Sequence, residues 1–306
     1  FSHDGEIFHY YEGNPILDIW STEFRDPTVF WYEPTQRWVM VVAKALEKKI
    51  KFYTSPDLKE WTWMSDFGPA GDNEKSWECP DLFQLPVDGS SKEKKWVMVV
   101  SVNWAREQYF IGDFDGVSFK LIENHPKEPL YVDKGLDFYA SRTFQDFDET
   151  LESKISMGWV ATWDYAQLVP SKYGKGFWSI PRSLRLKTYS EGIRLTQTPI
   201  EQLQTLRYNK VSMKRTIPVG TRLLSEFVPR ENVYELETSF STDISNTFGF
   251  NLCVGEGRKV VVSYDTDSYN LVIDRTHCAD VAIPKFDRMT YANVKPVDNK
   301  IRLRIF

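Results

Sequence analysis

Two carboxylates, Asp26 and Glu78, stand at the start of two predicted β-strands. Asp26 follows Arg25, and Glu78 follows Trp77. A pair of carboxylates facing one cleft is the arrangement that acid–base chemistry on a glycosidic bond requires. The pair therefore predicts the cleavage of a sugar linkage, provided that the fold brings the two strands together.

The neighbours of the two carboxylates predict a division of roles. Trp77 and Pro80 are expected to dry the surroundings of Glu78, which favours the neutral form of an acid. Arg25 favours the ionised form of any carboxylate beside it. The alternative is that both carboxylates only cap strands or pair with Arg25 at the surface.

An internal repeat supplies the elements that would position these residues. The segment WVMVV at residues 38–42 recurs at residues 96–100, and residues 26–30 resemble residues 79–83. A third, looser copy begins at Asp137. Four-stranded units repeating every roughly 40–60 residues predict a β-propeller, and no helix is predicted before residue 199. The first strand of each propeller blade lines a central channel, so we expect Asp26 and Glu78 to face one shared funnel.

The pattern changes after the third unit. Apolar and polar residues alternate over 233–240, 259–264, 269–274 and 300–306, which predicts an antiparallel β-sandwich. We therefore expect a partial propeller over residues 1–187, a linker with a short helix over 188–207, and an incomplete sandwich over 208–306. The first unit opens inside a blade and the last strand stops without a turn, so we expect a fragment of a longer protein.

Composition narrows the classes of function. The net charge is -5 and aromatic residues make up 15% of the chain, which favours a β-rich sugar-binding protein over a nucleic-acid-binding one. No apolar run approaches the roughly 18 residues of a membrane span, and no signal peptide opens the chain. The cysteines Cys79, Cys253 and Cys278 lack metal-site spacing, and Cys253 with Cys278 is the most plausible pair if a disulfide forms.

Several ordered motifs together resemble one enzyme family. They are EFRDP at residues 23–27, WECPDLF at 77–83, QYFIGDFDG at 108–116, GLDFYA at 135–140, SIPR at 179–182 and IRLRIF at 301–306. This series resembles glycoside hydrolase family 32, which contains the invertases, inulinases and levanases. The resemblance covers essentially the whole chain, and it implies an all-β fold with a five-bladed β-propeller followed by a β-sandwich.

The resemblance also implies an activity and a set of roles. It implies a retaining β-fructofuranosidase that releases terminal fructosyl units from sucrose, inulin or levan by double displacement. Glu78 matches the general acid/base, and Asp26 matches the residue that stabilises the transition state. Arg25 matches a substrate-contacting arginine, and Cys79 occupies the position of a residue that tunes the acid/base. The mechanism requires no metal and no cofactor.

One departure from the family pattern concerns the nucleophile. The family takes it from a Trp-Met-Asn-Asp-Pro-Asn-Gly segment, and no Asn-Asp pair occurs in this sequence. We therefore expect this chain by itself not to complete the catalytic cycle. Two alternatives to hydrolysis stay open, a sugar-binding propeller without catalysis and a fructosyl transferase of the same family. A protein-interaction propeller is disfavoured because repeats of the Trp-Asp type are absent.

Three further residues are expected to contact the sugar. Trp163 and Tyr139 supply aromatic faces for the apolar side of a sugar ring, and Asp137 supplies a hydroxyl acceptor. For each of them the alternative is a role in packing. The expected partner is sucrose or a fructan, with no nucleic acid and no membrane, while self-association into a homo-oligomer is left open. Secretion is expected from the family resemblance.

Overall fold

Almost all of the regular secondary structure is β-strand, and the chain divides into two compact units. The structure, a computed structural model, describes residues 1–145, 153–214, 216, 219–221, 223–225, 227, 229, 233–243, 246–279 and 282–306. The first unit is Phe1–Ile200, and the second is Glu201–Phe306. Within the described ranges, no helix has both the length and the apolar character needed to cross a membrane.

The described strands of the first unit form three antiparallel sheets, and the main strands of each follow the order of the chain. The first sheet contains β1 (Phe24–Tyr32), β2 (Arg37–Lys44), β3 (Lys49–Ser55) and β4 (Thr62–Phe67). The second contains β5 (Trp77–Pro86), β6 (Lys94–Val102), β7 (Arg106–Phe114), β8 (Phe119–Leu121) and β9 (Leu130–Tyr131). The third contains β10 (Tyr139–Thr143), β11 (Lys154–Val160), β12 (Phe177–Trp178), β13 (Arg182–Tyr189) and β14 (Gly192–Pro199). Three 3₁₀ turns lie in the connections, at Glu33–Thr35, Ala45–Glu47 and Ala166–Leu168.

The repeated WVMVV segments explain how these sheets pack. Val41 of β2 and Val100 of β6 belong to one hydrophobic cluster, shared by the first two sheets. Val99, the neighbour of Val100, belongs to a second cluster with Leu186 of β13 in the third sheet. Because successive residues of a strand point to opposite faces, an unbroken apolar run is what a sheet covered on both faces requires.

The first strand of each sheet carries a β-bulge near its start. The pairing register shifts once in each strand, between Arg25 and Thr28, between Glu78 and Asp81, and between Tyr139 and Arg142. One residue of each bulge has a left-handed backbone, namely Asp26 (φ 62°), Cys79 (φ 50°) and Ala140 (φ 52°). A bulge bends its strand and redirects the adjacent side chain, and here it recurs at the same position in three sheets.

The third sheet extends further along the chain than the sequence predicted. Residues 188–207 were expected to form a linker, but β14 (Gly192–Pro199) pairs along its whole length with β13. Ser190 and Glu191 form the two-residue turn of a hairpin, and Gly192 follows with a positive φ of 107°. Polar residues of a tight turn were therefore taken for a connector. The compact units divide after Ile200, and a 3₁₀ helix at Glu201–Leu206 follows the division.

The described residues of the second unit form two sheets. One pairs β15 (Leu236–Ser241) with β20 (Lys300–Ile305), and the other contains β16 (Thr247–Gly255), β17 (Arg258–Asp265), β18 (Asn270–Asp274) and β19 (Met289–Asn293). The ring of Phe240 in β15 lies 4.6 Å from that of Phe248 and 5.5 Å from that of Phe250 in β16. The two sheets thus share an aromatic contact, as a sandwich requires. Cys253 and Cys278 are both free thiols, so the disulfide considered from the sequence is not formed.

Candidate active site

Side chains from three sheets meet at the bulged ends of their first strands. Arg25 of the first sheet donates from Nε and Nη2 to Glu78 Oε1 of the second sheet, at 3.1 and 3.0 Å. The hydroxyl of Tyr139, from the third sheet, donates to Glu78 Oε2 at 2.5 Å. All three residues stand immediately before the left-handed residue of their bulge. The structural repeat therefore brings a cation, a carboxylate and a phenol together.

Asp26 occupies the left-handed position of the first bulge and lies against the second sheet. Its Oδ2 accepts a hydrogen bond from the Cys79 amide at 3.2 Å and from the Cys79 thiol at 3.5 Å. By standard geometry, the Cys79 amide nitrogen lies about 2.4 Å from the Glu78 Cα, so Asp26 Oδ2 lies within about 6 Å of that Cα. The structure thus brings the two carboxylates together between neighbouring sheets.

The two carboxylates lie one position apart in the repeat. Asp26 and Glu78 were expected to occupy matching positions, but in the structure Glu78 matches Arg25 and Asp26 matches Cys79. This is the register in which residues 26–30 align with residues 79–83, and the bulge lies at the same place in both strands. Arg25 consequently binds Glu78, the carboxylate that was expected to be the drier of the two. This ion pair is partly shielded, since the Glu78 side chain is only 14% exposed.

Trp77 does not dry the surroundings of Glu78. Its side chain is fully buried, and its ring centroid lies 6.1 Å from that of Phe67 and 5.7 Å from that of Phe110. Successive residues of a strand face opposite sides, so Trp77 enters the hydrophobic core while Glu78 faces away from it. The shielding of Glu78 comes instead from Arg25 and Tyr139.

Burial and charge determine which of these groups carry protons. Burial raises the pKa of Tyr139, and its hydrogen bond to Glu78 raises that pKa further, so the phenol remains a donor. Burial also raises the pKa of the Cys79 thiol to about 12, and the Asp26 carboxylate adds to the rise. Burial lowers the pKa of Arg25, but its hydrogen bonds to Glu23 and Glu78 outweigh that effect, and the net pKa is raised. The site therefore contains a fixed cation and two neutral donors.

Arg142 joins the first strands of the three sheets, and it was not among the residues predicted from the sequence. Its Nη1 donates to Thr28 Oγ1 at 2.9 Å and to the Pro80 carbonyl, and its Nη2 donates to the Asp26 carbonyl at 3.2 Å. These two carbonyls belong to bulges, where the strand ladder is interrupted. The repeat itself held a signal for this residue. Arg142 occupies in the third copy the position that Thr28 occupies in the first copy and Asp81 in the second.

Trp163 and Trp159 form a pair of aromatic rings near Tyr139, called here the aromatic edge. The Trp163 side chain is 53% exposed, and its ring centroid lies 5.0 Å from that of Trp159. Trp159 is the register partner of Tyr139 in the adjacent strand. The Trp163 amide donates to the carbonyl of Trp104, which lies in the turn between β6 and β7. Exposure favours a contact surface for Trp163 over the packing alternative.

Asp137 lies in the loop that leads into β10, two residues before Tyr139. Arg182, from the SIPR motif, orders this loop. Its Nη1 donates to Asp133 Oδ2 at 2.6 Å, and its guanidinium carbon lies 4.1 Å from the centre of the Phe138 ring. A sugar-binding role for Asp137 stays a prediction.

The chemistry available at this site is proton transfer and hydrogen bonding to a polar substrate. Two carboxylates, a guanidinium, a phenol and a thiol converge there. Where side chains are described, no group of three or more His, Cys, Asp or Glu residues could hold a metal ion. Paired carboxylates with nearby donors can protonate a glycosidic oxygen and bind sugar hydroxyls.

Comparison with known proteins identifies the relatives of this chain. The Glycosyl hydrolases family 32 N-terminal domain matches residues 1–199, and the Glycosyl hydrolases family 32 C terminal matches residues 200–306. A levanase of Bacillus subtilis (strain 168) is 40% identical over 321 residues, which cover 100% of this chain and 47% of the levanase. An extracellular exo-inulinase of Meyerozyma guilliermondii is 30% identical over 99% of this chain and 60% of its own length. The chain therefore spans about half the length of these relatives.

A solved structure shows the same architecture. The crystal structure of exo-inulinase from Aspergillus awamori matches with a TM-score of 0.79 and 28% identity, over 96% of this chain and 61% of that chain. The fold is accordingly a β-propeller together with a β-sandwich, as the sequence predicted. The two family matches together account for all 306 residues. The chain belongs to glycoside hydrolase family 32.

Proposed function

We propose that the protein carrying this chain hydrolyses terminal β-D-fructofuranosyl units of fructans or sucrose, with retention of configuration. The observation that carries the proposal is the meeting of Glu78 and Asp26, from neighbouring sheets, beside a cation and a phenol. Retaining glycosidases use a carboxyl acid/base close to a second carboxylate, and the ring passes through an oxocarbenium-like transition state.

Glu78 is assigned the role of general acid/base. One of its oxygens is held by Arg25 and the other by Tyr139, so donors from both neighbouring sheets fix its orientation. In the first step Glu78 gives its proton to the leaving glycosidic oxygen, and the same two donors stabilise the carboxylate that results. In the second step this carboxylate takes a proton from the attacking water. A fixed carboxyl makes both transfers without first losing orientational freedom.

Asp26 is assigned to the fructosyl hydroxyls. Its carboxylate is oriented by the amide and thiol of Cys79, and it can accept hydrogen bonds from a bound sugar. Its negative charge stabilises the positive charge that develops on the ring as the glycosidic bond breaks. Arg25 keeps Glu78 in place, and its Nη1 also donates to Glu23 Oε2 at 2.6 Å.

The nucleophile is assigned to the carboxylate of the family's Asn-Asp-Pro segment, which the printed sequence does not contain. Retention requires such a carboxylate about 5–5.5 Å from the acid/base. A second candidate function is sugar binding without turnover, which applies if the protein that carries this chain lacks that carboxylate. An assay of turnover by the intact protein that carries the chain distinguishes hydrolysis from sugar binding without turnover.

A fructan chain is the favoured substrate. The exposed aromatic edge around Trp163 offers a surface for sugar units beyond the one being cleaved. Relatives named levanase and exo-inulinase support the same substrate class. Fructosyl transfer shares the first chemical step and differs only in the acceptor, which is a second sugar in place of water. We also infer secretion, because the Meyerozyma guilliermondii exo-inulinase is described as extracellular.

The test replaces Glu78→Gln in the intact protein that carries this chain. Fructose release from levan, inulin and sucrose is measured with the kcat and KM of each. Loss of a general acid is expected to lower kcat by about 100-fold or more, with little change in KM. The matched control is Glu60→Gln, which makes the same charge change at an exposed turn after β3.

The outcomes separate the candidate functions. An unchanged kcat in Glu78→Gln would remove this residue from the acid/base role. Fructose binding detected by calorimetry, without any turnover by the unsubstituted protein, would favour the sugar-binding function. Oligosaccharide products of increasing length would identify a transferase.

A further inference from the structure

Glu107 is a completely buried carboxyl beneath the candidate active site, and the proposed mechanism does not use it. It is the second residue of β7 and is only 1% exposed. Its Oε1 accepts from Ser101 Oγ at 2.7 Å and from the Ser141 amide at 2.9 Å, and its Oε2 accepts from Ser141 Oγ at 2.8 Å. Ser101 belongs to the second sheet and Ser141 to the third, so one side chain joins the two sheets.

These bonds hold the bulge that directly follows Tyr139. Ala140 and Ser141 form this bulge, and their amides lie where the β10–β11 ladder is interrupted. The Ala140 amide donates to Ser101 Oγ at 3.2 Å, and the Ser141 amide donates to Glu107. Both bulge amides therefore donate to side chains of the second sheet. Ser101 Oγ accepts from the Ala140 amide and itself donates to Glu107.

The same network also lies next to Glu78. Ser101 is the register partner of Glu78 in the adjacent strand. One end of the network is thus attached to the strand that carries Glu78, and the other end sets the backbone after Tyr139. The distance between the Tyr139 hydroxyl and Glu78 Oε2 depends on how these two backbones are held relative to each other.

We propose that Glu107 is a positioning residue, which holds the Tyr139 bulge so that the phenol is aimed at the Glu78 carboxylate. The proposal rests on the acid/base role proposed for Glu78. Glu107 touches no substrate in this arrangement and acts only through Ser101, Ser141 and Tyr139.

The electrostatic surroundings of Glu107 indicate that its hydrogen bonds matter more than its charge. Burial raises the pKa of Glu107 to about 7, while the hydrogen bonds from the two serines and the charge of Arg142 oppose the rise. The ionisable groups whose charges interact with it are Arg142 and Tyr139 from β10 and Cys79 from β5. A neutral side chain of the same shape should therefore be able to replace it.

The experiment compares Glu107→Ala, Glu107→Gln and Gln108→Ala in the intact protein that carries this chain. Glutamine keeps the oxygen that accepts from Ser101 and the Ser141 amide, and its amide nitrogen can donate to Ser141 Oγ. Gln108→Ala is the matched control, because Gln108 is equally buried and bonds to Asp72 on the opposite face of the same strand. The measurements are kcat and KM for fructose release, and a crystal structure of each variant.

Glu107→Ala is expected to lower kcat by about tenfold or more, the loss expected when one hydrogen bond to a charged group fails. KM should change little. The distance from the Tyr139 hydroxyl to Glu78 Oε2 should exceed the roughly 3 Å of a hydrogen bond in this variant. Glu107→Gln should restore both kcat and the contact, and Gln108→Ala should retain both.

Two results would overturn the proposal. One is an equal loss of kcat in Glu107→Ala and Gln108→Ala, which would indicate only general loosening of the sheet. The other is an unchanged Tyr139–Glu78 contact in the crystal structure of Glu107→Ala. This second measurement needs no turnover, so it also decides the inference if the unsubstituted protein releases no fructose and the proposed function fails.

Discussion

Replacement of Arg142 by methionine tests how the three sheets are joined beneath the site. The arginine donates to Thr28 Oγ1 and to the carbonyls of Pro80 and Asp26, and methionine keeps a similar length without any donor. The Pro80 carbonyl still accepts from Thr28 Oγ1 at 2.7 Å in such a variant, whereas the Asp26 carbonyl loses this donor. A carbonyl left unsatisfied costs about 1–3 kcal/mol. The buried carboxyl of Asp81 also loses the charge of Arg142, and removing the partner of a buried charge costs about 3–5 kcal/mol, so we expect the free energy of unfolding to fall by that amount.

This loss can be converted into a melting temperature. The first unit comprises Phe1–Ile200, and for a domain of that size each 1 kcal/mol lowers Tm by about 2–4 °C. Arg142→Met should therefore lower Tm by about 6–20 °C. Arg142→Lys keeps the charge but lacks the planar fork that reaches several acceptors, so its Tm should fall less.

The destabilisation should also depend on pH. Burial raises the pKa values of Asp81 and Glu107, and the charge of Arg142 opposes the rise in both. Without the cation these carboxyls become harder to ionise in the folded state, and the cost grows as pH rises. The loss of Tm in Arg142→Met should accordingly be larger at pH 8 than at pH 5.

Thermal melts followed by circular dichroism or calorimetry measure these changes. The control is Arg37→Met, which removes an exposed arginine at the start of β2. A Tm loss in Arg142→Met that is no larger than in Arg37→Met would refute the reasoning, because the bulge carbonyls would then be satisfied without the guanidinium. Equal losses at pH 5 and pH 8 would refute the electrostatic part alone.

Four further predictions concern the site and its surroundings. Asp26→Asn should lower kcat on sucrose by about 100-fold or more without a matching loss of Tm, since an amide oxygen can still accept from Cys79; unchanged turnover would contradict the assigned role. Trp163→Ala should raise KM for levan by about fivefold, the effect of about 1 kcal/mol of aromatic contact. The control Trp31→Ala, at the end of β1 opposite Arg25, should leave KM unchanged; equal KM values in both variants would argue against a sugar surface. Between about pH 4.5 and 7 the native state retains the proton of Glu107 that the unfolded chain releases, so stability should fall by about 3 kcal/mol as pH rises through this range, and Glu107→Gln should flatten a plot of Tm against pH; a slope equal to that of the unsubstituted protein would count against it. Treatment with EDTA should leave fructose release unchanged, because the mechanism uses carboxylates alone, and a loss reversed by added cation would show otherwise.

Local sequence patterns were sufficient to predict the elements and the two carboxylates. Unbroken apolar runs such as residues 38–42 and 96–100 predict strands covered on both faces, and their repetition predicts the meandering sheets. Asp26 and Glu78 stand at the start of two such units, so the repeat already predicted that they share one site. These signals are readable because they depend on residues close together in the chain.

The direction of each side chain could not be read from the same patterns. The two first strands carry the same bulge at the same place, which puts Glu78 level with Arg25. The alternation of side chains along β5 sends Trp77, the residue before Glu78, into the core. The hairpin turn before β14 was misassigned for a related reason, since polar turn residues look alike in a linker and in a two-residue loop.

By itself, the sequence determined which residues are available for chemistry, which segments become strands and how the strands repeat. Only the tertiary structure decided that Tyr139 binds Glu78, that Arg142 joins three strands and that Glu107 is buried between two sheets. These contacts join residues 34 to 116 positions apart along the chain. They arise from the packing of whole sheets against each other, a property that no short stretch of residues contains.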